Sequence, residues 1–306
     1  MMHDQCFSFS RRDFIKTGAA GVAVLSAPVT LLADVPKPDV WVFHGADKTK
    51  LMKACLEMVN ANGGFGKQTR SLALKVNAAW TRTPEEGANT HPDLVATFLK
   101  GAREFGVTKL DVPEHPCHRG DESFKRSGIR DAVKSAGAKM IDMKKEKKYF
   151  SDVTIPKGQS LTSARVTKHF LEADAVVNMP VAKHHGGATL TMAMKNWMGA
   201  VEDRRVWHRS NLHQCIADFS TFMKPAWTII DATRIMMDKG PQGPAKTLKK
   251  PNLLVVSKDQ VAADAYTATL FHDDPRKVKY LALAAEMGMG VIDAAQMNIH
   301  RVEVGV

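Results

Sequence analysis

Ala175-Val176-Val177-Asn178 is the clearest buried strand in this sequence. Its apolar run does not alternate with polar residues, which is typical of a strand covered on both faces in a parallel sheet. Similar short runs recur along the chain, and segments with helical spacing of apolar residues separate them. This alternation predicts an α/β fold with a mainly parallel sheet layered by helices.

Further elements are predicted from the same alternation. The other strands are residues 40–43, 71–76, 109–112, 139–142, 228–231, 253–257 and 299–304. The helices are residues 48–60, 91–105, 161–171, 212–223, 261–271 and 277–287, and Asp259 is the expected N-cap of the fifth. The prediction is a single α/β domain over residues 34–306, in which residues 38–155 and 156–306 are candidate lobes.

The N-terminal residues carry an export motif. Ser10-Arg11-Arg12-Asp13-Phe14-Ile15-Lys16 precedes an uncharged run that ends at Ala33. Paired arginines ahead of such a run are typical of a twin-arginine signal peptide. We predict that residues 1–33 are this signal, with cleavage after Ala33 or, alternatively, Ala27. An ordinary secretory signal or a retained membrane anchor is the other interpretation.

The export motif and the net charge limit the class of protein to which this chain can belong. A twin-arginine signal predicts a periplasmic protein that the twin-arginine translocase exports already folded, often with a cofactor loaded. No later apolar run reaches the roughly 18 residues needed to cross a membrane, so no transmembrane segment is expected in the mature chain. The formal net charge of +11 favours anionic substrates or acidic partners, and a solvated basic face is the simpler interpretation. No nucleic-acid partner is expected of an exported protein.

Cysteine is sparse, with one thiol in the predicted signal and Cys55, Cys117 and Cys215 beyond it. These three residues form no CxxC pair and no ferredoxin-type string. A four-cysteine iron–sulfur cluster is therefore not expected.

Polar side chains follow several of the predicted strands, and ligands of parallel α/β folds bind at such strand ends. Lys75 and Asn77 end one strand, and Arg82 lies in the loop that follows it. Cationic and amide groups suit a carboxylate or a phosphate, so we predict that these three residues bind substrate. A simple turn cap is the alternative role for Asn77.

A second loop, residues 114–121, offers groups that bind metals or move protons. We predict that His115 and Cys117, together with His185 from a later segment, are metal ligands, because imidazole and thiolate suit transition metals. We predict a catalytic role for His118. The spacing matches no standard zinc signature, and a polar loop with incidental histidines is the alternative.

The segment after the strand at 175–178 contains Lys183-His184-His185-Gly186-Gly187. Lys183 is suited to act as a base, an imine former or an anion clamp, and we predict that Lys183 and His184 are catalytic. Lys195 and Asn196 follow in a short, methionine-rich helix. A lysine on an apolar surface is costly unless it is paired or functional, so these two residues are predicted to bind substrate.

The chain resembles exported members of the domain-of-unknown-function 362 family over residues 72–290. The segments that carry the resemblance are Lys75-Val76-Asn77, His91-Pro92, Val177-Asn178-Met179-Pro180, Lys183-His184, Met194-Lys195-Asn196 with Gly199, Ile230-Asp231-Ala232, and Ser257-Lys258-Asp259 running to Ala265. Many members of that family carry an appended ferredoxin segment. This chain lacks those cysteines, so the resemblance implies no iron–sulfur cluster here.

A second similarity is to the N-terminal part of the nickel-pincer lactate racemases. Thr81-Arg82-Thr83-Pro84, the helix after His91, and His118-Arg119 resemble the Thr-Arg-Pro loop and the His-Arg segment of those enzymes, in the same order. Lys183 with His184 or His185 lies where such an enzyme places its cofactor lysine and a histidine. The similarity implies a related fold and site location.

The leading hypothesis from sequence is a periplasmic enzyme with a metal or metal-containing cofactor that acts on a small anionic organic substrate. Racemase-like and oxidoreductase chemistry are both open, and the cofactor itself is not identified. The alternative is a non-catalytic cofactor-binding or redox-partner subunit of an envelope complex, with the methionine-rich helix as its docking face. The enzyme hypothesis requires Lys183, Lys195 and the histidines in one cavity, whereas the alternative requires exposed methionines.

Overall fold

A mixed sheet of eleven strands lies at the centre of the structure. The structure is a computed structural model that describes residues 36–305, so the predicted signal peptide lies outside the described residues. The strands are β1 (Asp39–His44), β2 (Ser71–Val76), β3 (Lys109–Glu114), β4 (Lys139–Asp142), β5 (Phe150–Thr154), β6 (Ser163–Thr167), β7 (Ala175–Met179), β8 (Val181–His185), β9 (Thr189–Thr191), β10 (Trp227–Met236), β11 (Leu248–Lys249), β12 (Leu253–Ser257) and β13 (Asn298–Glu303). β5 and β6 form a separate antiparallel pair.

Most neighbours along the sheet are parallel. The order is β13-β1-β12-β10-β7-β2-β3-β4, and the five strands from β10 to β4 are parallel to one another. β12 is antiparallel to both of its neighbours. The predicted α/β fold with a mainly parallel sheet is confirmed.

Helices cover both faces of the sheet and form two apolar cores. The α-helices of the described residues are α1 (Lys48–Ala61), α2 (Pro92–Glu104), α3 (Gly120–Arg126), α4 (Ile129–Ser135), α5 (Lys168–Leu171), α6 (Ala193–Asn196), α7 (Arg205–Arg209), α8 (Leu212–Phe222), α9 (Gln260–Ala268) and α10 (Lys279–Glu286). α1, α2 and α4 pack in one core, and α8, α9 and α10 pack in the other. Val176 enters the second core while Ala175 and Val177 enter the first, which explains the uninterrupted apolar run of β7.

Side-chain caps fix where several helices begin. Asp47 accepts hydrogen bonds from the first-turn amides of α1, and Asn211 caps α8 in the same way. Asp259 accepts from the amides of Val261 and Ala262, as predicted from the sequence. Within residues 36–305, no helix combines the length and apolar character that crossing a membrane requires.

The predicted helix at residues 161–171 is wrong. Its first part forms strand β6, and only Lys168–Leu171 is helical. Ser163 and Arg165 are exposed while Val166 is buried, and β6 pairs antiparallel with β5. Period-2 burial and a partner strand therefore override the weak helical pattern. The boundary between the two candidate lobes falls in the turn between these paired strands, and residues Lys37–Val306 form one compact unit.

Pro180 separates β7 from β8 and thereby places Lys183. β8 pairs in parallel with β10, with a register shift between Asp231 and Met236. β9 folds back on β8 as an antiparallel hairpin. Lys183 in β8 is therefore held against the central strand β10, all of whose residues are buried.

Candidate functional site

A cavity of about 140 Å³, which we call the lysine cavity, lies where β2, β3 and β8 approach helix α6. Its wall is dominated by cationic and amide side chains from segments far apart in sequence. The polar residues that line it are Lys75, Asn77, Glu114, Cys117, Lys183, His185, Thr191, Lys195, Asn196, Arg204 and His208. The strand-end rule used on the sequence thus points to this cavity.

Lys75 is a buried lysine with a counter-charge. Its Nζ lies 2.9 Å from Oε2 of Glu114, and both side chains are almost fully buried. Nζ also donates to Asn196 Oδ1 at 3.3 Å and to the Val76 carbonyl. Burial lowers the pKa of Lys75, and the Glu114 carboxylate opposes that shift. Lys75 and Glu114 thus neutralise each other's charge, and together with Asn77, Asn178 and Asn196 they form what we call the floor of the cavity.

Three asparagines tie the cavity floor together. Asn196 Nδ2 donates to Asn178 Oδ1 at 2.8 Å, and Asn178 Nδ2 donates to the Ala193 carbonyl at 2.8 Å. Asn77 Nδ2 donates to Asn196 Oδ1 at 3.4 Å. These bonds connect β7, the end of β2 and helix α6, so the side chains at the floor are held before any ligand binds.

Lys183 is fully buried, and no carboxylate of residues 36–305 forms an ion pair with it. Its Nζ donates to the Ala88 carbonyl and lies 3.5 Å from Asn77 Oδ1. The Trp80 ring centroid is 5.9 Å from Nζ. Burial lowers the pKa of Lys183 to about 7; Cys117 opposes this shift and the Lys195 ammonium adds to it. The amine is therefore partly neutral at neutral pH.

Lys195 is the second buried lysine without a carboxylate partner among the described residues. Its side chain is 8% exposed, and its Nζ contacts Met198 Sδ at 3.6 Å. Burial lowers the pKa of Lys195 to about 8. An ammonium at this position would be stabilised by an external anion more than by any protein group around it.

Two cations hold the loop that follows β3. Arg204 donates to the carbonyls of His115 and Pro116, the second at 2.7 Å. Lys144 donates to the carbonyls of Cys117 and His118, at 3.1 and 2.8 Å. The loop therefore forms a fixed wall of the cavity, and Arg204 adds a further positive charge to the lining.

Arg234 anchors the loop whose carbonyl meets Lys183. Its guanidinium pairs with Asp231 at 2.8 Å and donates to the carbonyls of Pro84 and Asn89 at 2.8 and 2.9 Å. Asp231 in turn accepts from the His91 amide at 2.9 Å. The Ala88 carbonyl is thus held from both sides by a buried network on β10.

The structure brings Lys75, Asn77, Lys183, Lys195 and Asn196 together in the cavity, along with Cys117 and His185. Other residues predicted for the site have structural partners and do not line it. Arg82 pairs with Glu86 at 3.0 Å, and Nδ1 of His115 lies 2.7 Å from the Val201 carbonyl. Nδ1 of His118 accepts from the Thr81 amide at 3.2 Å. Nδ1 of His184 accepts from the Gly240 amide at 3.1 Å.

The three residues predicted to bind a metal do not come together. His115 faces a neighbouring surface cavity, whereas Cys117 and His185 line the lysine cavity. His185 Nδ1 accepts from the amides of Gly187 and Ala188 at 3.1 and 3.2 Å, so the ring proton is on Nε2. Burial and the nearby Lys195 and Lys183 ammonium groups lower the pKa of His185 to about 3. Over residues 36–305, no three His, Cys, Asp or Glu side chains are grouped to hold a metal ion, and the predicted trio does not fit one.

Three residues that line the cavity were not predicted from the sequence as site residues: Glu114, Arg204 and His208. Glu114 ends β3, so the strand-end rule that selected Lys75 also applies to it. Arg204 lies in a charged cluster that looks solvated in the sequence, and its contacts are 88 and 89 residues away. No local pattern reveals contacts of that kind.

Residues 72–269 match the family described as Domain of unknown function (DUF362). The chain belongs to this family. The resemblance recognised in the sequence is thereby confirmed, and the lysine cavity of this DUF362 protein lies within the matched residues.

One relative is the thylakoid-associated protein sll1697 of a Synechocystis species, 23% identical over 248 residues. The match covers 78% of this DUF362 chain and 74% of that protein. Among solved structures, the lactate racemase apoprotein of Thermoanaerobacterium thermosaccharolyticum aligns with a TM-score of 0.44 at 14% identity, over 76% of this chain and 57% of its own. A Thermotoga maritima protein aligns with a TM-score of 0.44 at 10% identity, over 79% and 60%. The chain thus spans less than two thirds of either structure.

Proposed function

We propose that this DUF362 protein is an enzyme that binds a small organic anion in the lysine cavity and moves a proton on it. The supporting observation is that Lys183 and Lys195 are buried in one cavity without a carboxylate partner among residues 36–305. An uncompensated buried ammonium costs several kcal/mol. A bound carboxylate removes that cost, because it supplies the missing negative charge.

The size of the cavity limits the ligand. A volume of about 140 Å³ is close to that of an engineered cavity of about 150 Å³ that holds benzene. The ligand therefore has about six non-hydrogen atoms, as a short hydroxy or keto acid has. Its carboxylate would lie against Lys195 and Arg204, and Asn77 and Asn196 would orient it through amide groups.

Lys183 is the residue that we propose to move the proton. Its pKa of about 7 is close to the value at which a general base works best near neutral pH. Abstraction of a proton from the carbon next to a carboxylate is racemase-like chemistry, and Lys183 would accept that proton on Nζ. Lys75, which already pairs with Glu114, would keep the floor of the cavity rigid.

The docking-subunit alternative requires exposed methionines on the segment around α6. Met192, Met194 and Met198 are instead buried. They contribute to a core, so no observation at this segment favours that alternative.

Isothermal titration calorimetry tests the anion site, with L-lactate, D-lactate and the neutral analogue lactamide as ligands. Lactate should bind and lactamide should not, and Lys195→Met should weaken lactate binding at least tenfold. Lys53→Met, at an exposed lysine of α1, is the matched control and should bind as the natural protein does. Equal binding of lactamide, or unchanged binding by Lys195→Met, would overturn the anion site.

Exchange of the carbon-bound proton tests catalysis separately. In heavy water, the proton on the carbon next to the carboxylate should be replaced by deuterium in the presence of enzyme, as followed by NMR. Lys183→Met should slow this exchange at least a hundredfold. Binding without exchange would support a non-catalytic binding protein instead.

We also propose that the protein acts in the periplasm after twin-arginine export, on the basis of the Ser10–Lys16 motif. Replacing both Arg11 and Arg12 by lysine should leave the full-length precursor in the cytoplasm, as seen by cell fractionation and immunoblotting. An unchanged distribution between the fractions would contradict this route.

A further inference from the structure

Lys183 is placed like an amine that reacts with a carbonyl group. We propose that Lys183 forms a covalent imine with a small α-keto acid whose carboxylate lies against Lys195 and Arg204. The inference rests on the proposed anion site and adds a second reaction of the same lysine, with ligands that carry both a carboxylate and a neighbouring keto group.

The contacts of Lys183 Nζ are the first argument. Its oxygen contacts are two neutral acceptors, the Ala88 carbonyl and Asn77 Oδ1. The ring of Trp80 lies 5.9 Å away. Only a neutral amine attacks a carbonyl carbon, and a desolvated lysine beside a second cation favours the neutral form. Lys195 supplies that second cation from the same cavity wall.

Lys75 provides a comparison within the same cavity. Its Nζ lies 2.9 Å from the Glu114 carboxylate, and this counter-charge favours the ammonium form, against the effect of burial, which lowers the pKa of Lys75. Lys75 therefore has a buried counter-charge, whereas Lys183 has none among the described residues. This difference disfavours Lys75 as the nucleophile. Because Lys195 is the proposed partner of the ligand carboxylate, Lys183 remains for that role.

The electrostatics of the cavity select the electrophile. Among residues 36–305, the Nζ of Lys195 contacts only a thioether. Within the same residues, Arg204 bonds two backbone carbonyls, and its guanidinium has further N–H donors. Both suit a carboxylate. A ligand of about six atoms that contacts Lys195 through its carboxylate then has its next carbon within the small space that Lys183 also lines.

The reaction conserves atoms and charge. The lone pair of the neutral Lys183 nitrogen forms a bond to the keto carbon, and the C=O double bond opens. The keto oxygen takes up two protons and leaves as water, and these protons come from the Lys183 nitrogen, with Lys195 as the group that relays them. The product is a C=N bond, which makes the protons on the adjacent carbon more acidic.

Borohydride trapping tests the proposal. Purified full-length protein is incubated with pyruvate and sodium borohydride, and the modified peptide is mapped by mass spectrometry. We expect a stable adduct on the peptide that carries Lys183, and none with borohydride alone or with lactate, which has the carboxylate but no carbonyl. Lys183→Arg should abolish the adduct, and Lys195→Met should slow its formation at least tenfold. Lys53→Met should react as the natural protein does.

The outcomes separate this inference from the proposed function. If pyruvate and lactate bind in calorimetry but no adduct forms, the imine is refuted while the anion site stands. If neither acid binds and no adduct forms, both are refuted. Equal modification of Lys183 and exposed lysines would also refute the imine, because it would show non-specific reaction. Thermal melting of Lys183→Arg shows that the variant is folded, so that loss of its adduct counts in favour of the proposal.

Discussion

Lys75, Lys183 and Lys195 line one cavity, but their ammonium groups have different surroundings. Lys75 has a buried carboxylate at 2.9 Å, whereas Lys183 and Lys195 contact carbonyl, amide or thioether atoms. Removal of a buried charge from water is costly unless a counter-charge compensates. The same residue type therefore supports the folded state at one position and opposes it at the other two.

Substitution by methionine should show this difference directly. Lys183→Met should raise the free energy of unfolding at pH 7 by about 1–3 kcal/mol, because it removes an uncompensated buried charge. Lys75→Met should lower it by about 3–5 kcal/mol, because it leaves Glu114 buried without its partner. Urea unfolding measures both values, with Lys53→Met as the control. Similar losses in the two variants would mean that Lys183 has a counter-charge after all.

At the scale of elements, apolar runs without alternation predicted the strands of the parallel part of the sheet, because those strands are covered on both faces. β5 and β6 were not predicted. They are half exposed, and each forms its strand hydrogen bonds with the other. The strand-end rule found Lys75, Asn77 and Lys183 because it depends on topology alone. It could not exclude His118 and His184, whose rings are turned to backbone amides of other segments.

The turn at Trp197–Ala200 packs so closely on the end of β3 that a side chain at position 199 would meet the Lys75–Glu114 pair. A Cβ added there would lie 2.0 Å from Glu114 Oε1 and 2.7 Å from Lys75 Nζ. Gly199→Ala should therefore separate the Lys75–Glu114 pair, lower the free energy of unfolding by about 1–3 kcal/mol and weaken lactate binding at least tenfold.

Gly186→Ala is the matched control for this substitution. It lies in the turn between β8 and β9, and an added Cβ would meet no atom within 4 Å. Urea unfolding and calorimetry should find this variant unchanged in both properties. If Gly199→Ala also leaves both unchanged, the floor of the cavity is less rigid than its contacts indicate.

For the whole molecule, stability should depend on pH through groups buried around the cavity. The ordinary pKa of lysine is 10.5, and burial lowers it to about 7 for Lys183 and about 8 for Lys195. The unfolded chain therefore holds more protons than the folded protein as the pH rises above these values, and stability increases with pH. Asp264 has the opposite effect: it makes stability fall as the pH rises towards 8, because burial raises its pKa from 3.8 to about 8. Burial raises the pKa of the Cys55 thiol well above its ordinary value, so Cys55 opposes the lysines above pH 9.

Between pH 8 and 9, the increase in stability due to Lys183 and Lys195 should therefore exceed the opposing contributions of Asp264 and Cys55. The free energy of unfolding should rise there by up to about 1.4 kcal/mol per pH unit for each of the two lysines. Urea unfolding at pH 8.0, 8.5 and 9.0 measures the slope. Lys183→Met should reduce it by about 1 kcal/mol per pH unit. A slope identical to that of the natural protein would show that Lys183 keeps its proton in the folded protein at these pH values.

Trp80 gives the cavity an optical signal of its own. Its ring lies 5.9 Å from Lys183 Nζ and 5.0 Å from the ring of His118, and it lines the cavity. Indole fluorescence responds to nearby charge and hydration, so a ligand that displaces water beside this ring changes its emission. Trp41, Trp197, Trp207 and Trp227 do not line the cavity, so we expect their emission to form a background that does not depend on the ligand. Occupancy can therefore be followed in the unlabelled protein with light alone.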